Sequence, residues 1–421
     1  MKVLLVSANT EKITMPTIPV GLALVAAATR RAGHEVAFLD LMFETEPAAA
    51  LRRAIAAFAP GVIGVSVRNV DDQNMESPRF LLEKVRPLIA ECRAATSAPI
   101  VLGGAGYSIF PDETLAYLGA DFGVCGDGEA VFPLLLERLE RGSDASALPG
   151  VHVRGGAGAA AAIFAADLTV LPAPAAEAFA AVPRGNADIW IPIQSRRGCP
   201  NECSYCSTAL IQGRVTRSRS PQLVVEHLAQ LAAAGFRQFY FVDNSFNIPE
   251  SQALELCRLI AARGLDSRWR AIIYPHRLSA ELAQAMAAAG CVEVALGFES
   301  GCARILRELN KHFTPDDVRR VAALLAQHGI RRFGFLLLGG PGETRASVEE
   351  SLVFAESLKL DGLKITVGIR LYPGTPLARR AAAEGVVRAD ENLLFPRFYL
   401  APEIAPWIRE YLTGRQPSPP A

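Results

Sequence analysis

The amino-acid sequence predicts an α/β chain with two structured regions. The first is a Rossmann-like, doubly wound parallel sheet, and the second is a partial (β/α)6 barrel of the TIM type. Short apolar runs of strand length alternate with longer segments of helical periodicity along most of the 421 residues, which favours parallel sheets covered by helices. Polar residues follow several of the apolar runs, and these folds bind their ligands at the carboxyl ends of strands.

The composition argues against several functional classes. The chain has 43 Lys and Arg residues against 43 Asp and Glu residues, so its charge offers no case for nucleic acid or for an acidic membrane surface. No charge-free apolar stretch reaches the roughly 18 residues that a membrane-spanning helix needs. The apolar run after Met1 is too short for a signal peptide and predicts a buried strand. We therefore expect a protein of the reducing cytoplasm.

The first predicted region covers residues 1–145. Its apolar runs are predicted as strands at 2–6, 35–39, 62–67, 99–102 and 121–125, with helices between them. Three of these strands end in polar or glycine-rich sequences, namely Ser7-Ala-Asn9, Ser66-Val-Arg68-Asn69 and Gly103-Gly104-Ala105. No G-x-G-x-x-G follows the first strand, so the loops do not form a dinucleotide fingerprint.

The rest of the chain divides into three predicted parts. Residues 146–190 are rich in glycine, alanine and proline and predict a linker. Residues 191–385 repeat strand and helix six times, which is too few for a closed eight-stranded barrel and favours an open one. Residues 386–421 are predicted to form a C-terminal extension that covers the open side of the barrel or packs on the first region.

A cysteine-rich loop, Arg197-Gly-Cys199-Pro-Asn-Glu-Cys203-Ser-Tyr205-Cys206, follows the first strand of the second region. Three thiolates can hold three irons of a [4Fe–4S] cube and leave the fourth iron open for a ligand. Zinc is the alternative, but a structural zinc site takes four ligands, usually as two separated pairs, and the other five cysteines stand singly. A disulfide would leave a third thiol over.

The C-x3-C-x-(aromatic)-C spacing of this loop resembles the signature of the radical S-adenosylmethionine (SAM) superfamily. The resemblance implies that Cys199, Cys203 and Cys206 ligate the cluster, and that the amino and carboxylate groups of SAM chelate the open iron. Tyr205 fills the aromatic position, where the superfamily packs a ring near the adenine. A flat aromatic ring suits the face of a purine.

The same resemblance places SAM contacts at three further strand ends. Asp243-Asn244-Ser245 is expected to meet the amino group, Glu299 or Ser300 the methionyl or ribose part, and the backbone at Gly339 the adenine. Carboxylate and amide oxygens are suitable acceptors for an ammonium group and for ribose hydroxyls.

For four residues near these strand ends the sequence gives only general expectations. We expect Cys302 to be a packing cysteine rather than an active thiol, and Glu343 to stabilise the start of a helix. His276 is either substrate-facing or a loop histidine, and Tyr372 is expected to border the substrate.

The first region resembles the cobalamin-binding domain that precedes many radical SAM cores. Its matching phrases are Pro19-Val-Gly21-Leu, Gly33-His-Glu-Val, Ile63-Gly-Val-Ser66, Val101-Leu-Gly103-Gly104 and Gly126-Asp-Gly128-Glu129. The resemblance implies cobalamin contacts from Ser66, Arg68, Gly103 and Gly104, the glycines allowing close approach because they lack side chains. No D-x-H-x-x-G is present, which argues against a histidine ligand to cobalt.

Together the two resemblances imply three cofactors: a [4Fe–4S] cluster, SAM and cobalamin. The implied reaction is reductive cleavage of SAM to a 5′-deoxyadenosyl radical, hydrogen abstraction from an unactivated carbon of a small molecule, and methyl transfer from methylcobalamin. Such an enzyme needs an external electron donor of the flavodoxin or ferredoxin type. One alternative is a radical SAM enzyme that closes a ring or transfers the aminocarboxypropyl group of SAM, and another is a non-catalytic cobalamin- or metal-binding sensor.

Overall fold

Two six-stranded sheets, each flanked by helices, form the part of the protein that the structure describes. This structure is a computed structural model, and it describes residues 1–13, 15–156 and 161–414. The predicted fold class is confirmed, since a Rossmann-like sheet precedes an open barrel. Within these ranges no helix is both long and apolar enough to cross a membrane.

The N-terminal sheet contains six strands in the spatial order 2-1-3-4-5-6. The strands are Lys2–Ser7 (β1), Glu35–Asp40 (β2), Val62–Ser66 (β3), Ile100–Gly103 (β4), Phe122–Val124 (β5) and Val151–Val153 (β6). The first five are parallel, and β6 is antiparallel to β5. Buried side chains occupy almost all of β1 and β3, because helices cover both faces of a parallel sheet.

Strand β6 lies inside the segment predicted as a linker. It pairs with β5 from Val124↔Val151 to Phe122↔Val153, so the N-terminal sheet extends beyond residue 145. A further bridge joins Gly126 to Ile163. The start of the 146–190 segment therefore belongs structurally to the first sheet. A run of three residues carries too little periodicity to be read as a strand.

The helices of this region alternate with its strands. They are Val20–Arg31 (α1), Pro47–Phe58 (α2), Leu82–Ala95 (α3), Ala105–Ile109 (α4), Pro111–Leu118 (α5) and Gly128–Glu140 (α6). The strand order reverses between β1 and β3, so the chain leaves these neighbouring strands in opposite directions. A crevice opens at such a point, outside the carboxyl ends of the strands.

The second sheet is an open barrel. Its parallel strands are Ile191–Ile193 (β7), Gln238–Phe241 (β10), Arg268–Ile273 (β11), Cys291–Glu299 (β12), Arg331–Leu338 (β13) and Gly362–Val367 (β14). Short strand pairs outside the barrel are Arg196–Arg197 (β8) with Arg217–Ser218 (β9), and Ile369–Arg370 (β15) with Phe398–Tyr399 (β16). In spatial order the barrel runs β14-β13-β12-β11-β10-β7, and its two end strands do not pair with each other.

Helices follow the strands of this barrel and continue into the C-terminal extension. They are Thr208–Gln212 (α7), Pro221–Ala233 (α8), Glu250–Arg263 (α9), Ala280–Ala288 (α10), Ala303–Glu308 (α11), Pro315–Gln327 (α12), Arg345–Ser357 (α13), Pro376–Ala383 (α14) and Ile408–Thr413 (α15). Local sequence fixes several starts. In α12, for example, Thr314 and Asp317 form a reciprocal capping box, which satisfies two backbone donors that the first turn leaves unpaired.

Loops of the N-terminal region cover part of the open side of the barrel. Asp71 forms an ion pair with Arg370 at 2.8 Å, and both side chains are 2% exposed. Met75 packs against Gly368, where an added Cβ would lie 2.2 Å from the Met75 sulfur. The C-terminal extension also touches the N-terminal region, since the Phe395 and Phe80 rings are 4.6 Å apart. The two sheets are therefore tied together by buried contacts.

We predict that Asp71→Asn destabilises the protein by about 3–5 kcal/mol, because it leaves the Arg370 guanidinium buried without its counter-charge. Urea unfolding, followed by circular dichroism, measures the change. Arg388→Met is the matched control, because it removes an arginine from an ion pair whose two side chains are 78% and 82% exposed. Equal midpoints for Asp71→Asn and the wild type would contradict this role of the ion pair.

Candidate active site

A tight turn presents the three cysteines of the cluster loop. Gly198 has φ +82°, and a Cβ there would lie 2.0 Å from the Val215 carbonyl oxygen, so only glycine fits. The Cys199 amide then donates to the Gly213 carbonyl at 3.1 Å. The three cysteines are partly buried. The fold therefore fixes the backbone of the loop and leaves the three cysteines partly exposed.

The donor set of this loop suits an iron–sulfur cluster. Burial raises the pKa of the Cys199 and Cys203 thiols, an effect that metal binding overrides because a coordinating thiol loses its proton. The Cys206 sulfur lies 3.2 Å from the Thr208 hydroxyl and accepts a bond from the Thr208 amide at 3.5 Å. Among the described residues no three ligand side chains converge on one ion. A cube does not require this, because each thiolate binds a different iron.

A buried polar cluster adjoins the loop. The Glu299 carboxylate accepts hydrogen bonds from the Tyr205 hydroxyl at 2.9 Å and from the Lys311 ammonium at 3.2 Å. Lys311 also lies 5.2 Å from the centre of the Tyr205 ring and hydrogen-bonds the Cys203 side chain. Glu299 has φ +60°, a costly backbone conformation for glutamate and one that is common at functional sites.

The structure thus brings two of the predicted residues, Tyr205 and Glu299, into direct contact. Lys311 was not predicted from the sequence. It follows helix α11 in a loop with no periodicity or motif to mark it, and only the tertiary fold returns it to Cys203.

The side chains of two other predicted SAM contacts, Asp243 and Ser300, are buried and have hydrogen-bond partners within the protein. The Asp243 carboxylate is buried and accepts hydrogen bonds from the Ser195 amide and hydroxyl and from the Arg196 amide. Ser300 is fully buried, with its hydroxyl 2.9 Å from that of Ser351. In this structure both side chains are buried with protein partners, and their contact with SAM stays a prediction.

The remaining predicted contacts also have internal partners. Asn244 donates to the Gln212 side chain at 2.7 Å, and the Ser245 hydroxyl donates to the Asn244 carbonyl at 2.8 Å. The Gly339 amide donates to Glu343, as does the Gly340 amide at 3.1 Å. Glu343 therefore organises the glycine-rich turn after β13 and does not act as a charge at the start of a helix.

The residues with less specific interpretations lie around this site. Cys302 is buried and its thiol hydrogen-bonds Glu350 on α13, which matches a packing role. His276 is partly exposed, with its Nδ1 3.8 Å from Asp317. Tyr372 is buried against Arg370, 5.2 Å from the guanidinium, at the contact between the two regions.

A cavity of about 310 Å³ opens at the carboxyl ends of β1, β3 and β4. All four residues predicted to contact cobalamin line it: Ser66, Arg68, Gly103 and Gly104. At Gly103 an added Cβ would meet only the Val124 carbonyl, at 3.8 Å, so the glycine enlarges the cavity. Gly104 has φ +101°, and a Cβ there would lie 2.7 Å from the Val67 carbonyl. Backbone geometry therefore requires this second glycine.

The far wall of the cavity comes from the barrel region. Gln194, Arg197, Ile211 and Gln212 line it together with Asp127 and Glu129 of the N-terminal region. Arg197 donates to Asp127 at 2.8 Å and to Glu129, and Arg217 also donates to Asp127. These four charged side chains are at most 7% exposed. The cavity and the cluster loop therefore share a wall of paired buried charges.

Two protein-family models match the chain. The radical SAM superfamily model matches residues 193–355, and the B12 binding domain model matches residues 6–136. The three-cysteine loop on an open parallel barrel thus defines a radical SAM enzyme. The chain belongs, more particularly, to the radical SAM enzymes that carry a B12-binding domain, and its cofactors are a [4Fe–4S] cluster, SAM and cobalamin.

Its similar proteins include methyltransferases. An uncharacterized methyltransferase of Pyrococcus horikoshii, PH0819, is 26% identical over 92% of this chain and 84% of its own. Tryptophan 2-C-methyltransferase of Streptomyces laurentii is 25% identical over 89% of this chain and 74% of its own. The structure of TsrM, a radical SAM methyltransferase of Kitasatospora setae, with tryptophan and a SAM analogue bound, superimposes with a TM-score of 0.84. It is 25% identical and covers 97% of this chain and 87% of that one.

We predict that Cys199→Ala, Cys203→Ala and Cys206→Ala each abolish retention of the cluster, because each removes the ligand of one iron. Iron and sulfide counts after anaerobic reconstitution and desalting measure this. Cys302→Ala is the matched control and is expected to retain its iron. Loss of the cluster from Cys302→Ala, or its full retention in any loop variant, would contradict the ligand set.

Glu343 gives a pH prediction. Burial raises its pKa from 4.5 to about 7, so its contribution to stability is present below pH 4.5 and is lost as the pH rises through 7. Compared with Glu343→Gln, the wild type should lose about 3 kcal/mol of unfolding free energy between pH 4 and pH 8. Urea titrations across this range measure the free energy of unfolding, with Glu356→Gln, an exposed position on the following helix α13, as the control. Parallel pH profiles for wild type and Glu343→Gln would contradict the raised pKa.

Proposed function

We propose that this enzyme is a cobalamin-dependent methyltransferase that methylates a carbon atom of a small molecule. One observation carries the proposal: the cavity that contains the predicted cobalamin residues is bounded by the residues that hold the cluster loop. A methyl donor and a SAM-cleaving centre then lie on adjoining sides of one space. The methyltransferases among the similar proteins support this assignment.

The cofactors supply the reactive chemistry when they are bound: SAM at the cluster supplies a radical and methyl groups, and cobalamin supplies methyl transfer. The protein orients them. Glu299, held by Tyr205 and Lys311, offers a carboxylate beside the cluster loop where the ammonium of an amino acid is a suitable partner. Arg68 follows the end of β3 and lines the cavity.

The barrel interior suits a small organic substrate. On β11, β12 and β13 every second side chain is buried beneath the helices, and the intervening ones are only partly buried. Apart from Glu299, the partly buried positions in the carboxyl halves of these strands are apolar or small: Ile272, Ala295, Gly297, Phe335 and Leu337. Such linings, with a few polar groups at the rim, are typical of sites for small molecules.

We further propose that an external one-electron donor of the flavodoxin or ferredoxin type reduces the cluster, in the cytoplasm, where thiols stay reduced. One side of the cluster loop lies at the surface. Glu202, between the first two cysteines, pairs with Arg214, and these side chains are 65% and 62% exposed.

Product analysis tests the methyl-transfer proposal. Protein reconstituted anaerobically with iron, sulfide and hydroxocobalamin is incubated with a reductant, SAM labelled in its methyl group, and pools of candidate small molecules. We expect cobalt and cluster to be retained, and S-adenosylhomocysteine to form together with a labelled product. Cys203→Ala serves as the cluster-free control and should form neither.

The two alternative reactions, aminocarboxypropyl transfer and ring closure, give different products. Methylthioadenosine in place of S-adenosylhomocysteine would identify aminocarboxypropyl transfer, and 5′-deoxyadenosine without label in the product would favour ring closure. Either result would overturn the methyl-transfer proposal. Failure of the reduced, cluster-loaded protein to cleave SAM would favour a non-catalytic sensor.

A further inference from the structure

The segment that carries the cluster also forms part of the cobalamin cavity. Arg197 precedes Cys199 by two residues, and Ile211 and Gln212 end the helix α7 that follows Cys206. These three side chains line the cavity. A molecule that fills the cavity therefore touches the chain on both sides of the three cysteines.

Hydrogen bonds connect this cavity wall to the backbone of the cluster loop. The Gln212 side-chain oxygen accepts from the Gly198 amide at 3.2 Å, immediately before Cys199. Arg217 donates to the Gln212 carbonyl at 2.7 Å and also to Asp127. Asp127 and Glu129 in turn bind Arg197. The path from the N-terminal region to the first cysteine is thus a continuous set of buried and partly buried polar contacts.

Helix packing supplies a second connection. Helix α4, which begins directly after the cavity-lining Gly104, packs against α7 on the other side of the interface. Helix α7 has no buried residue of its own and has only five residues, too few for a helix to be stable alone. Its position therefore depends on its neighbours and on whatever occupies the cavity.

We propose that cobalamin and the cluster are bound cooperatively, with Arg197, Asp127 and Glu129 as the positioning residues that transmit the coupling. Loss of iron requires the cluster loop to open locally, and a ligand that binds only the closed arrangement raises the free energy of that opening. Thermodynamic reciprocity requires the loaded cluster to raise the affinity for cobalamin by the same factor as bound cobalamin raises the affinity for the cluster. The inference uses the cofactors of the proposed function but does not depend on methyl transfer.

Iron release measures the coupling directly. Cluster-loaded protein, with or without bound hydroxocobalamin, is mixed anaerobically with the ferrous chelator bathophenanthroline disulfonate, and the first-order rate of iron loss is followed by absorbance. We expect the cobalamin-bound protein to lose iron at least about fivefold more slowly, the lower end of typical coupling between sites.

Variants distinguish coupling from mere structural support. In Arg197→Lys and Glu129→Gln the ratio of the two rates should approach one, whereas a purely structural role would speed both rates and leave their ratio unchanged. Glu129→Gln keeps the side-chain volume. If Arg197→Lys fails to take up iron, the ratio measured in Glu129→Gln alone distinguishes coupling from structural support. Arg214→Met is the matched control, an exposed arginine near the same loop that does not line the cavity, and it should keep the wild-type ratio.

Three results would overturn the proposal. Equal rates of iron loss with and without cobalamin in the wild type would contradict cooperative binding but not the proposed methyl transfer. An unchanged ratio in both Arg197→Lys and Glu129→Gln would show that these residues do not transmit the coupling. A protein that holds its cluster but retains no cobalt would overturn the coupling together with the proposed methyl transfer.

Discussion

Buried charge pairs at the contact between the two sheets constrain the whole molecule. Arg197 and Arg217 face Asp127 and Glu129 with almost no exposure to solvent, and Arg370 faces Asp71 in the same way. A buried ion left without its partner is strongly destabilising, so the two regions cannot slide past each other without cost. The carboxyl ends of both sheets are thereby held against one cavity.

Sequence reasoning succeeded where a feature has a local signal. Continuous apolar runs such as Val3–Val6 predicted strands covered on both faces, and six repeats of strand and helix predicted an open barrel. The spacing of Cys199, Cys203 and Cys206 required no tertiary information, because one loop contains the whole set. Gly103, which the resemblance implied as a cobalamin contact, is the last residue of β4 and lines the cavity, so its contact with cobalamin stays a prediction.

The sequence contained no local signal for the hydrogen-bond partners of the polar side chains at the strand ends. A polar residue after a strand can face the site or bind its neighbours, and Asp243 and Glu299 look alike in sequence. In the structure Ser195 and Arg196 donate hydrogen bonds to Asp243, whereas Glu299 is held towards the cluster loop by Lys311, which lies beyond helix α11. The same limit applies to β6, whose three residues become a strand only because β5 offers an unpaired edge.

The gap in the open barrel allows the N-terminal region to form one of its walls. A closed barrel would separate its interior from any neighbouring domain, but six strands leave a gap between β7 and β14. Loops of the N-terminal region cover part of that gap through Asp71 and Met75. A radical formed at the cluster must be shielded from water and still reach its substrate. A wall provided by the N-terminal region meets both needs, because the region that covers part of the barrel also contains the cavity that borders the cluster loop.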